Sequence, residues 1–307
     1  MRVFLTLTIA LCFLLGGGMP AAQDAFRVTT DVVPLSVTVT NAEHQYVADL
    51  TRDEFIVLEN NKPQPLSFFA RSDVPLAVAL LIDSSASMLN TLSTAQQAAI
   101  GFVRELTPKD LAMVVDFDNQ VKILQSFTDD RKLLEQSIVK TAPGGSTSLY
   151  TAVYVALREL ARLKIGDESV TARRRAIVLL SDGDDTRSLV NFDDVVDLAE
   201  RSNIVIYSIG LRGPGSAAFR PSYGARRAVS GEFALRRFSS QTGGRVMYPT
   251  NNRELVDAYS DIRRELANQY VLAYESPPGP PRVWRTVSVR VSRAGLTART
   301  RPGYYGK

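Results

Sequence analysis

The stretch "LAVALLIDSSASM", Leu76 to Met88, decides how this chain folds. Leu76 to Ile82 is unbroken apolar sequence, as in a parallel strand buried on both faces. The run stops abruptly on Asp83, and Ser84, Ser85 and Ser87 follow. Next comes a helical pattern that puts Leu92, Ala95, Ala99, Phe102, Val103 and Leu106 on one face. A buried strand that ends on an acid and turns into a helix is one unit of an α/β fold.

The same unit recurs downstream. "LAMVVDF" (Leu111 to Phe117) reads as a strand, and "VKILQSF" (Val121 to Phe127) pairs with it as a hairpin across Asp118-Asn119-Gln120. Helices are expected at Arg131 to Lys140, Tyr150 to Leu163, Phe192 to Arg201 and Phe233 to Gln241. "AIVLLS" (Ala176 to Ser181) and "IVIYSIGL" (Ile204 to Leu211) are further apolar strands, with a short one at Arg245 to Tyr248. A last helix, Arg253 to Leu266, carries Leu255, Tyr259, Ile262 and Leu266 on one face. Strands alternating with helices predict a doubly wound, mostly parallel sheet with helices on both faces.

Both flanks read as β. Leu35, Val37 and Val39 alternate with Ser36, Thr38 and Thr40, the period of a half-buried strand. Phe55 to Leu58 and Leu66 to Phe69 are two more strands around "ENNKPQ", and "RSDVP" (Arg71 to Pro75) reads as a linker. After the last helix, Gln269 to Tyr274 is a strand, "PPGPP" a rigid loop, and Val287, Val289 and Val291 alternate with polar residues. The simplest arrangement packs the two β ends together as a small sandwich. The organisation is then a leader over 1–22, a β segment over 24–71, an α/β domain over 74–266 and a second β segment over 268–303.

Composition restricts the function classes. Of 307 residues, 45% are hydrophobic and 22% charged, ordinary values for a chain that buries a core, and the formal charge of +4 gives no reason to expect a nucleic-acid partner. Arg2, the apolar run Val3 to Leu15, the break Gly16 to Gly18 and the small residues Pro20-Ala21-Ala22 read as an export signal. The apolar run is shorter than the ~20 residues a bilayer span requires. Leu11 before Cys12 is a poor fit to a lipoprotein cleavage site. Cleavage leaves a chain without cysteine, secreted or periplasmic, with no membrane span and no thiol chemistry.

In open α/β sheets, ligands bind beyond the carboxyl ends of the strands, where strand order reverses. Asp83 and Asp182 (in "LLSDGDD") both stand at strand ends, so both belong on one edge. The two-residue spacing of Ser85 and Ser87 lets both hydroxyls face one point, and "PGGSTSLY" brings Thr147 to the start of a helix. All of these are oxygen donors. Such a set suits a hard octahedral cation, Mg²⁺ or its substitutes Mn²⁺ and Ca²⁺. A soft metal would want Cys or His, and His44 stands alone in the β part. With two carboxylates at most, the ion is left short of ligands, and a carboxylate from another molecule is the obvious group to complete it. Taken alone, Asp83 and Ser85 also fit a helix cap. Thr147 and Asp182, in order, favour the metal reading.

Asp83-Ser84-Ser85-Ala86-Ser87 resembles the D-x-S-x-S motif of von Willebrand factor type A domains, and Thr147 and Asp182 match the other two parts of that family's metal-ion-dependent adhesion site. The resemblance covers roughly Val74 to Leu266. It implies that Ser85, Ser87 and either Thr147 or Asp182 contact the ion, some through water, with Asp83 holding the site directly or through water. It also implies a protein ligand whose Asp or Glu completes the ion, and a rearrangement involving the Thr147 loop and the last helix. The flanks "VADLTRDEFIVLENNKPQPLSFF", "NQYVLAYES" and "RPGYYG" resemble an exported bacterial von Willebrand factor A-related group best known from Acidobacteria.

Several residues receive a blander or a rival reading. Asp184 and Asp185 read as solvated loop acids, Arg173-Arg174-Arg175 as a solvated basic patch on the opposite edge, and Trp284 as packing. The segment Arg212 to Gly231 leaves from the metal edge and holds Arg220, Tyr223, Arg226 and Arg227, which are expected to border the ion and select an acidic partner. An enzyme is not expected. No second acid stands two residues after Asp83, no lysine follows Gly144-Gly145 as in a P-loop, and no G-x-S-x-G elbow surrounds a serine. A Mg²⁺-dependent hydrolase, and an envelope scaffold with a purely structural metal, are the rival classes.

Overall fold

The computed structural model describes residues 31–71, 74–163, 173–211 and 231–306. The leader and the stretch carrying Arg220, Tyr223, Arg226 and Arg227 lie outside the described residues.

The chain opens with β1 (Asp31–Thr40), β2 (Phe55–Glu59), β3 (Lys62–Gln64) and β4 (Leu66–Ala70). The α/β part follows: β5 (Leu76–Asp83), α1 (Leu92–Arg104), β6 (Leu111–Phe117), β7 (Val121–Thr128), α2 (Arg131–Val139), α3 (Leu149–Arg162), β8 (Arg174–Ser181), α4 (Phe192–Arg201) and β9 (Val205–Gly210). It ends with α5 (Gly231–Thr242), β10 (Val246–Met247) and α6 (Asn252–Ala267). The closing strands are β11 (Tyr270–Ser276), β12 (Trp284–Val291), β13 (Thr297–Arg299) and β14 (Gly303–Tyr305).

Six strands form the central sheet in the order β10-β9-β8-β5-β6-β7. All pairings are parallel except β6 with β7. The alternation within β5 shows why its sequence is apolar throughout. Leu76, Val78, Leu80 and Ile82 pack with α1, α2 and α6, whereas Ala77, Ala79 and Leu81 pack with α3, α4 and α5. The chain leaves β5 toward β6 and β7, then crosses to β8 on the other side. Strand order therefore reverses between β5 and β8, and Asp83 and Ser181 end those two strands.

The flanking strands make two antiparallel four-stranded sheets, β13-β1-β11-β4 and β14-β12-β2-β3. The first residues of the described chain pair with its last third: Val33 stands opposite Tyr274, and Val57 opposite Val289. Val33, Leu35, Val37, Phe55, Val57, Leu272 and Val287 share one core between the sheets. The fold is thus the α/β sheet with a small β-sandwich contributed by both ends.

Two readings of the sequence need correction. The "ENNKPQ" turn does not join the strands at Phe55 and Leu66. It joins β2 to β3 through Asn60 and Asn61, both at positive φ (48° and 63°), the conformation of a two-residue hairpin. Past Pro65 the chain moves to the other sheet, where β4 pairs with β11. The arginine run is at the edge expected, but it is not a solvated patch. Arg174 is buried, its Nε donates to the Val74 carbonyl at 2.9 Å, and its Nη1 donates to the Leu266 carbonyl. Arg173 and Arg175 are half-buried and donate to the carbonyls of Lys109 and Leu163. These partners lie far away in sequence, where a local pattern carries no sign of them.

The sandwich is tied to the sheet by a buried acid that the sequence reading passed over. Glu265, on α6, is 1% exposed. It accepts from the hydroxyls of Thr38 (3.1 Å) and Tyr207 (2.6 Å), and pairs with Arg245 (3.1 Å) and Arg299. One carboxylate thereby joins β1 and β13 to β9 and α6.

Candidate metal centre

Three loops meet at the carboxyl ends of β5 and β8. The first is Ser84 to Met88, the second Pro143 to Ser148, the third Asp182 to Ser188. Backbone bonds join the first loop to the second and the second to the third. Gly144 N–H donates to Ser84 O at 2.7 Å, and Ala86 N–H to Gly145 O at 3.1 Å. Thr186 and Arg187 N–H both donate to Thr147 O at 3.0 Å, and Thr147 N–H donates to Thr186 Oγ1 at 3.0 Å.

Asp83 sits at the root of the first loop with no exposed surface. Its Oδ1 accepts the Ser85 N–H at 2.9 Å, and its Oδ2 accepts the Ser181 hydroxyl at 2.6 Å. Neither bond is a helix cap; the side chain turns the loop back on itself. The Ser85 and Ser87 hydroxyl oxygens are 3.0 Å apart, as the two-residue spacing predicts. Thr147 is buried, and Asp182 is half-buried and close enough for its charge to act on Asp83. Of the five oxygen donors selected from the sequence, Asp83 ends β5, and Ser85, Ser87, Thr147 and Asp182 stand on the three linked loops.

Burial pushes the Asp83 carboxyl up to about 6; its bonds from Ser181 and Ser85 oppose the rise, and the Asp182 charge adds to it. A buried carboxylate beside a second acid, with only hydroxyl and amide donors acting on it, is a charge short of a cation. The donor set fits a hard divalent ion: acid and hydroxyl oxygens, no thiol, and no imidazole, since His44 lies in the turn after β1. Among the described residues there is no cluster of three or more His, Cys, Asp or Glu, at this centre or elsewhere.

The raised value fixes the sign of a pH effect. In a chelator, Asp83 contributes stability that is fully present below its ordinary value of 3.8 and is lost as pH rises through about 6. Urea unfolding in EDTA is expected to show wild type losing stability between pH 4 and 6 relative to Asp83→Asn. A flat difference across that window contradicts the burial argument.

Two supports escaped sequence reasoning. Ser181 orients Asp83, and its oxygen also accepts the Gly183 N–H at 2.9 Å. The register was the available signal: Ile82 pairs with Leu180, which sets Ser181 beside Asp83. Asn119, in the β6–β7 hairpin, accepts the Ser146 N–H at 2.7 Å and braces the Thr147 loop. Asp185 corrects the reading of a solvated acid: it accepts the Tyr150 N–H at 3.2 Å, in the first turn of α3, and the Ser188 hydroxyl at 2.6 Å. Asp184 is exposed, as expected of a loop acid.

Gly183 is constrained on both counts that matter for glycine. Its φ is +89°, and a Cβ there would lie 2.5 Å from the carbonyl oxygen of Gly231. Gly183→Ala should therefore cost about 2–3 kcal/mol, read by urea unfolding. A loss below about 0.5 kcal/mol would show that this loop accommodates a side chain without strain.

Residues 78–184 match the von Willebrand factor type A domain. The chain contains a von Willebrand factor type A domain. The match begins inside β5 and ends just past Asp182, so it spans all five candidate ligands. No curated protein matches the chain. Among solved structures, a von Willebrand factor type A protein from Catenulispora acidiphila has the same type A fold, with a TM-score of 0.52 at 11% identity, covering 89% of this chain and 73% of that one. An aerotolerance-related membrane protein from Bacteroides fragilis is 20% identical over 63% of this chain and 98% of its own, at a TM-score of 0.46. A proximal thread matrix protein from the mussel byssus, solved with zinc in its MIDAS motif, is 15% identical over 68% of this chain and 49% of its own, at 0.49. In this type A domain no described helix is long and apolar enough to cross a membrane.

Proposed function

We propose that this chain is an exported binding protein, secreted or periplasmic, that captures an Asp or Glu side chain of a protein partner through a divalent cation. Asp83, Ser85, Ser87, Thr147 and Asp182 would hold the ion, Mg²⁺ in the first instance and Mn²⁺ or Ca²⁺ as substitutes. The observation that carries this reading is the buried Asp83 carboxylate beside the 3.0 Å pair of serine hydroxyls, bonded among the described residues to a serine hydroxyl and a backbone amide and to no arginine or lysine. When bound, the ion supplies a positive centre with an unfilled coordination position. Ser85 and Ser87 contribute neutral oxygens, so the centre keeps its appetite for an external carboxylate. Ser181 and the Ser85 amide fix the Asp83 carboxylate, and the Thr186 and Arg187 amides hold Thr147 against the third loop. The reading of export rests on the N-terminal sequence, and assignment to the exported von Willebrand factor A-related group on the flanking motifs.

Binding is favoured over catalysis because the donor set has no nucleophile–base pair: the only histidine, His44, stands in the β1 turn. The test is a pull-down from the native envelope with Mg²⁺, with EDTA, and with Asp83→Ala. Capture of an envelope protein that is lost in EDTA and in the variant supports the reading. Capture that survives both, and also Thr147→Ala, favours a scaffold whose metal is structural. Phosphatase or esterase turnover in Mg²⁺ that disappears in Asp83→Ala would replace the binding reading with a hydrolase.

A further inference from the structure

A second site lies at the seam between the sandwich and α4. It is a cavity of about 920 Å³. α4 starts beyond the third loop of the metal centre and runs back, so its last residue, Arg201, stands just before β9. The cavity is thus at the edge of the sheet away from Asp83.

Its walls are of two kinds. Val32, Pro34 and Pro281 give an apolar side, closed by Tyr304 and Tyr305. Val32 is 55% exposed. The lining also includes three arginines, Arg201, Arg282 and Arg301, and one acid, Asp31. Arg201 lies over the Tyr305 ring at 5.2 Å and only loosely pairs with Asp197, at 3.7 Å. Arg282 makes no ion pair among the described residues.

Arg301 is the telling one. It is 9% exposed and lies over Tyr304 at 5.2 Å. It donates to the carbonyls of Pro34 (3.1 Å) and Ser202 (3.4 Å), while its Nε has no partner among the described residues. Among the described residues no acid pairs with it. A buried guanidinium is costly when its only acceptors are neutral. Apolar walls with a few convergent charged groups, at this volume, are the form of a small-molecule site.

We propose that this cavity binds a small amphipathic anion: an anionic head on the guanidinium groups of Arg201, Arg282 and Arg301, and an apolar body against Val32, Pro34 and Pro281. Guanidinium forks accept carboxylate and phosphate heads alike. The site is independent of the metal centre, and its occupant is a small molecule.

Calorimetric titration of the full chain with decanoate, decyl phosphate and decanol, each below its micellar concentration, tests this. At least one of the two anions should bind ten times or more tighter than decanol, and the tighter anion identifies the head group. The double variant Arg201→Gln/Arg282→Gln should weaken that anion at least tenfold. Val32→Glu, a change at an exposed position, should do the same by placing a like charge at the mouth. Binding of neither anion, equal binding of decanol, or unchanged affinity in both variants would overturn the proposal.

Discussion

Glu265→Ala is expected to lose about 3–5 kcal/mol of stability, the cost of breaking a buried ion pair by removing one partner. The carboxylate it deletes is 1% exposed and serves two arginines and two buried hydroxyls at once. Without it, Tyr207 and Thr38 face each other with no common acceptor, Arg299 loses its counterion, and Arg245 keeps only Asp261, at 3.8 Å. Arg245 and Arg299 keep 35% and 33% of their side chains exposed, so water offsets part of the loss and the lower end of the range applies. For a domain with 5–15 kcal/mol in total, even that is a large fraction. Glu265→Gln should recover only part, since it restores acceptors for the hydroxyls but no charge. Urea unfolding reads both variants. A loss under about 1 kcal/mol in Glu265→Ala would mean that the sandwich and the sheet hold together by apolar packing alone.

The second large effect is a reversal of rank. In EDTA at pH 8, Asp83→Asn should be more stable than wild type. Burial pushes the Asp83 carboxyl from 3.8 up to about 6, and the ionised group in the metal-free chain costs about 3 kcal/mol at ~1.4 kcal/mol per unit. Asparagine keeps an acceptor for the Ser85 N–H and removes the repulsion with Asp182. In Mg²⁺ at a thousandfold its dissociation constant, wild type should gain about 4 kcal/mol and the variant much less. The two unfolding curves therefore exchange places on adding the ion. A carboxylate kept only to shape the loop would lose stability on Asp83→Asn in both buffers.

The sequence made the sheet legible because β5, β8 and β9 are buried on both faces, and an apolar run of that length fits few places but the middle of a covered sheet. The same feature marked the candidate metal centre. A strand that is apolar up to its last residue announces the acid that ends it, as β5 announces Asp83; in β8 the apolar run stops at Leu180, and Asp182 follows Ser181. Local spacing also fixed the Ser85–Ser87 pair. What stayed hidden depends on partners remote in sequence. Arg174 looks like surface charge until Val74 and Leu266 are seen to offer it carbonyls. Glu265 sits among charged residues on an amphipathic helix, and only Thr38, Tyr207 and Arg299 reveal that it points inward. Asp185 looks like one of three loop acids until α3 is placed beside it. Period and composition report which face is apolar. They say nothing about which buried charge will find its counterpart across the fold.

Binding of a divalent cation by Asp83, Ser85, Ser87, Thr147 and Asp182 is tested most directly by calorimetric titration of the chelator-treated protein. Mg²⁺ and Mn²⁺ are the titrants, with Asp83→Asn and Thr147→Ala run in parallel. The predicted result is one ion per chain for wild type, with affinity at least a hundredfold lower in Asp83→Asn and reduced in Thr147→Ala. No binding by wild type, or equal binding by wild type and Asp83→Asn, would contradict it.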